Sequence, residues 1–107
     1  MELCAPTLIV HEVANALGRA TKIGGISEND AKEALEALED MKIELFEPSW
    51  TKACQELSIA CKLDLTVYDA AYLFLAEKTR ASLITADEKL YEKAKANFKI
   101  IHIKDYV

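Results

Sequence analysis

The 107 residues predict an α/β protein in which helices cover both faces of a short parallel sheet. Three observations carry this. Short apolar runs alternate with longer segments of helical periodicity, as parallel strands joined by crossover helices do. One segment, Leu65 to Ala76 (LTVYDAAYLFLA), is apolar almost all round and reads as a helix buried on several sides. The composition, 51% hydrophobic and 29% charged, is that of a globular chain with one real core.

In chain order, Glu2 to Ala5 reads as a short strand, and Pro6 suits the first turn of a helix. That helix runs from Thr7 to Lys22, with Ile9, Val13, Ala16, Leu17 and Ala20 at helical spacing. Gly24 and Gly25 end it. Ser27, with Asp30 three residues on, caps a helix from Glu28 to Asp40. Ile43 to Phe46 is a strand, and Pro48 and Ser49 open a helix to Lys62. Asp64 to Thr66 turns the chain into the central helix, which runs to Thr79. Ser82 to Thr85 is a strand, Asp87 caps a helix to Ala96, and Lys99 to Ile103 is the last strand. No repeat, low-complexity segment or linker interrupts the chain, so one domain spanning 1–107 is expected.

The formal net charge of −5 disfavours a generally basic nucleic-acid binder. An acidic chain that handles RNA needs metal ions or a partner to offset repulsion. Cys4, Cys54 and Cys61 match no zinc spacing. Cys54 and Cys61 share a helix face and read as buried small residues, and the odd count fits a reducing compartment. No basic leader and no stretch of membrane-spanning length is present, so a cytoplasmic protein with no membrane contact is expected.

Asp69 is the only charged residue between Leu65 and Ala76, and an isolated carboxylate there is costly unless something pairs with it. The short connection to the strand at Ser82 sets helix and strand antiparallel. Asp69 at the helix start and Asp87 past the strand end then share the carboxyl edge of the sheet, where open α/β folds place their sites. Glu12, between one and two turns into the first helix, approaches the same edge, with Asn15 on its face. Three converging carboxylates suit a hard cation such as Mg²⁺ or Mn²⁺, which would activate a water and neutralise charge on a phosphate. Each residue also has a plain reading. Thr66 with Asp69 outlines a capping box, Asp87 is an N-cap, Glu12 is a solvated helix position, and Thr85 is a strand end. His11 and His102 read as incidental, and Tyr68 and Tyr72 as core or interface.

HEVANALGRA, ISENDAKEALEAL, LTVYDAAYLFLAE and SLITADEKL together resemble the PIN domain, specifically toxins of the VapC type. The resemblance implies a three-layer α/β/α fold and a metal-dependent endoribonuclease inhibited by a cognate VapB-type antitoxin. It maps the catalytic and metal-binding acids onto Glu12, Asp69 and Asp87, with Thr85 and Asn15 as supporting groups. It also implies a strand ending in an acidic residue, followed by a helix, ahead of the region matching Met1. That strand would occupy the middle of the sheet and carry the first metal-binding Asp.

An N-terminally truncated domain is therefore expected. An open central gap would orphan backbone groups at roughly 1 to 3 kcal/mol each, against a total stability of about 5 to 15 kcal/mol. Either the neighbouring strands close directly, or a second chain fills the space in a homodimer or strand-swapped oligomer. With one acid missing, weak or absent RNA cleavage is expected. The competing reading is a non-catalytic, toxin-like interaction protein that dimerises or binds an antitoxin.

Overall fold

The computed structural model describes residues 2–106. Its elements are β1 (Cys4–Pro6), α1 (Leu8–Lys22), α2 (Glu28–Asp40), β2 (Glu44–Phe46), α3 (Trp50–Leu63), α4 (Val67–Thr79), β3 (Leu83–Thr85), α5 (Glu88–Ala94), β4 (Ile100–His102) and α6 (Ile103–Tyr106). The chain divides into two compact units, Met1–Glu47 and Pro48–Val107.

In the first unit β1 pairs in parallel with β2, with Ala5 opposite Leu45 and Pro6 opposite Phe46. Pro6 thus ends a strand and does not open the helix; its missing N–H is no loss at that position. The α1 C-terminus closes through Gly24, whose φ of +83° is a left-handed conformation that glycine adopts without strain. The Gly25 N–H donates to the Ala20 carbonyl at 2.9 Å. Helix α2 begins as its sequence dictates, the Ser27 hydroxyl accepting from the Asp30 N–H at 3.0 Å. Among the described residues of this unit, only Ala5, Pro6 and Ala31 are buried. The larger apolar residues, among them Ile9, Val13, Leu35, Leu38 and Ile43, line an open apolar cavity of about 410 Å³ between α1, α2 and β2.

The second unit holds the deeper core. Helices α3 and α4 pack side by side, and β3 pairs in parallel with β4, Ile84 opposite Ile101. Leu73 is fully buried and meets Leu90 and Ala94 of α5; Ile59, Leu63, Leu65, Leu83, Phe98 and Ile100 close around them. Around α4, Ala70, Ala71, Leu73, Phe74 and Ala76 are all buried, as its nearly uniform apolar sequence requires. Asp64 and Arg80 take left-handed conformations at the ends of α3 and α4. Past Arg80 the Ala81 N–H reaches back to the Ala76 carbonyl at 2.9 Å, which turns the chain sharply into β3.

The fold is therefore α/β with parallel strand pairs. The strands form two separate two-stranded sheets, β1–β2 and β3–β4, so direct closure into one sheet is not among the ladders of the described residues. Cys54 and Cys61 do share a face of α3, but that face is exposed, contrary to their reading as buried. His102 is buried, and its Nε2 lies 3.1 Å from a Glu88 carboxylate oxygen. Its Nδ1 accepts from the Lys104 N–H at 3.2 Å and so fastens the start of α6.

Two stability changes follow from this core. Leu73→Ala should cost about 2 to 5 kcal/mol, read as a lowered denaturation midpoint, because a fully enclosed side chain leaves a cavity. Glu56 on α3 is 9% exposed; burial pushes its carboxyl pKa up, and Lys52 one turn earlier pulls it part of the way back. The folded state thus holds the proton more tightly than the unfolded chain. Its contribution is fully present below the ordinary carboxyl range and is lost as pH rises through the raised value. Glu56→Gln should remove that fall, seen as a smaller decline of the thermal midpoint between acid and neutral pH.

Candidate functional site

Glu12 lies in the second turn of α1, exposed, with Asn15 one turn further on the same face. His11, Glu12, Ala14 and Asn15 line one shallow, open depression of the first unit.

Asp69, Thr85 and Asp87 belong to the second unit. The start of α4 is capped by Thr66, whose hydroxyl accepts from the Asp69 N–H at 3.1 Å. The outlined capping motif is therefore real, and Asp69, half-buried, stands in the first helical turn, where the helix dipole favours a carboxylate. Thr85 ends β3, and its hydroxyl accepts from the Asp87 N–H at 3.0 Å. Asp87 is the N-cap of α5, with Oδ1 accepting from the Leu90 N–H at 3.1 Å.

From the Arg80 turn, Asp69 stands about 15 Å back along α4 at 1.5 Å per residue. Asp87 stands about 20 Å along the strand direction at 3.3 Å per residue. On these lengths the two acids are expected towards the same end of the second unit. Lys93 of α5 binds the Asp64 carbonyl at 2.7 Å and its carboxylate at 3.6 Å, which places α5 beside the α3–α4 corner at that end. The sequence carries no local signal for the Lys93 contact with Asp64 or the His102 contact with Glu88, because the partners lie 29 and 14 residues apart.

Within each unit the acids are oxygen donors, the chemistry a hard divalent cation takes. Among the described residues, no group of three or more His, Cys, Asp and Glu side chains is gathered closely enough to hold a metal ion. The charge is unevenly shared. Residues up to Glu47 carry ten carboxylates and four Lys or Arg, and the remainder carries eight and nine. Several of those cations are engaged. Lys95 meets Glu92 at 2.7 Å, and that hydrogen bond and charge raise the lysine pKa. Lys78 lies 5.6 Å from the centre of the Phe74 ring. No helix among the described residues is long and apolar enough to cross a membrane.

The comparison with known proteins decides the family: a model of the PIN domain matches residues 1–96. The chain belongs to the PIN-domain family. It is of the VapC type, being 38% identical over 93 residues to Ribonuclease VapC3 of Pyrobaculum aerophilum, a match covering 86% of this chain and 71% of that protein. It is also 32% identical over 89 residues to Exonuclease VapC9 of the same organism, covering 82% of this chain and 64% of the relative. The crystal structure of PAE2754 from Pyrobaculum aerophilum superposes with a TM-score of 0.79 at 26% identity, covering 95% of this PIN protein and 71% of that one.

The caps separate structural from chemical roles at Asp87. Asp87→Ala should lower stability by about 0.5 to 2 kcal/mol in urea denaturation, because the Leu90 N–H loses its acceptor. Asp87→Asn keeps an acceptor oxygen and should stay within a few tenths of a kcal/mol of the parent.

Proposed function

We propose that this PIN protein is a metal-dependent endoribonuclease of the VapC toxin type, with Glu12, Asp69 and Asp87 as its catalytic and metal-binding acids. The supporting observation is the place of Asp69: a half-buried carboxylate in the first turn of α4, followed by seven uncharged residues, with the capped Asp87 just past β3 in the same unit. Thr85 supports the site by fixing the backbone at Asp87, and Asn15 by sharing the exposed face of Glu12. Bound Mg²⁺ or Mn²⁺ supplies an acidified water and neutralises charge at the phosphodiester. The acids hold and orient that ion. The cation-richer second unit offers the side chains for the RNA backbone.

The family resemblance implies one further metal-binding Asp beyond these three acids. Residues 1–107 by themselves are therefore proposed to cleave RNA weakly. A VapB-type antitoxin and self-association into a homodimer or strand-swapped oligomer, in the cytoplasm, complete the reading. The alternative is a non-catalytic, toxin-like interaction protein that dimerises or binds an antitoxin.

RNA cleavage with Mn²⁺, with metal titration by calorimetry, tests the choice. A nuclease shows slow cleavage, abolished by chelation and lowered about 100-fold or more in Asp69→Asn, a loss at least as large as outer-shell changes at metal sites produce. No metal-dependent cleavage and no stoichiometric metal binding would leave the interaction reading standing.

A further inference from the structure

Tyr68 is an aromatic side chain that the core of the second unit does not use. It stands in the first turn of α4 and is 67% exposed, whereas Phe74 of the same helix is buried and Tyr72 half-buried. Core packing is thus excluded for it. Among the described residues it makes no hydrogen bond and no ring contact. Helix propensity does not call for it either, since straight-chain residues suit an exposed helical position better than an aromatic one.

Lysines stand at the corner that leads into this turn. Lys93 of α5 reaches the Asp64 carbonyl at 2.7 Å and the Asp64 carboxylate at 3.6 Å, one turn's length of chain before Tyr68. Lys89 lies one helical turn before Lys93 and shares its face of α5. Lys62 occupies the last turn of α3, which runs into the same corner. Asp64 takes part of the Lys93 charge, while Lys62 and Lys89 are exposed and make no ion pair among the described residues. Asp69 follows Tyr68 directly. Successive Cα atoms are about 3.8 Å apart, and successive side chains diverge by about 100° round a helix. Ring and carboxylate therefore occupy adjoining sectors of one helix end.

We propose that Tyr68 is a base-stacking residue: its ring takes the face of the nucleobase next to the phosphodiester at Asp69, and Lys62, Lys89 and Lys93 meet the flanking phosphates. Flat aromatic faces alternating with amines are what a single nucleic-acid strand takes, the ring holding the base and the amines the backbone. Every base offers a π-face, so the contact favours an unstacked base without choosing its identity. The proposal rests on the nuclease reading for the phosphate at Asp69; the ring and the lysines stand independently of it.

A short single-stranded RNA carrying a fluorescent aminopurine base, titrated with the full chain in chelator at low salt, tests this. The parent should bind and quench the aminopurine, and Tyr68→Phe should do the same. Tyr68→Leu, at a side chain exposed enough to leave folding unchanged by circular dichroism, should bind about 5- to 100-fold more weakly and lose the quenching. Lys89→Ala should weaken binding and flatten its salt dependence while the bound RNA stays quenched. An RNA abasic at the aminopurine position should bind the parent and Tyr68→Leu alike. Quenching and affinity unchanged in Tyr68→Leu overturn the proposal, and so does a parent that neither binds nor quenches the RNA. Quenching that depends on Tyr68 without any Mn²⁺-dependent cleavage upholds the stacking contact and removes the nuclease reading.

Discussion

Ala70, Ala71, Leu73, Phe74 and Ala76 are buried at successive angles around α4, so this helix is stable only inside a shell. The shell is supplied by α3 on one side and by β3, β4 and α5 on others. The helix is covered on several sides, and the short connection at its C-terminal end fixes the direction of the next strand. The tight turn at Arg80 sends β3 back along α4, and the end of β3 at Thr85 delivers Asp87 to the end where α4 began. The placement of two of the three candidate acids is thus a by-product of hiding an apolar helix.

The same helix shows why much of the architecture was legible beforehand. Caps are local chemistry: Ser27, Ser49, Thr66 and Asp87 each accept the bond their sequence position implies. Helix boundaries read from them fall within a residue or two at their starts. Pro6 was harder, because a proline beside a helix suits the last residue of a strand as well as the first turn. The cysteines were misread because periodicity reports that positions share a face and does not report which face. Helix α3 has two apolar faces, and only packing distinguishes them. Helix α6 and the fastening role of His102 had no periodic signal, since a four-residue turn is too short to show one.

The candidate site was legible in its members more than in its assembly. Asp69 stands out by contrast with its neighbours, and Asp87 by following a strand. Glu12 is one carboxylate among ten in the first 47 residues, so nothing local distinguishes it from a solvated helix face. Its selection rests on the direction of the helix that follows the first strand, together with the resemblance, and the PIN match over residues 1–96 supports the family assignment without assigning its role.

Lys42, Asp64 and Arg80 hold φ values of +56°, +55° and +57° where glycine would meet no steric resistance. Each corner stores conformational strain of about 1 kcal/mol or more. Asp64 puts its corner to use by anchoring Lys93. At Lys42 and Arg80 a glycine would hold the same turns without that strain, toughening the scaffold while keeping the direction of the chain past each corner.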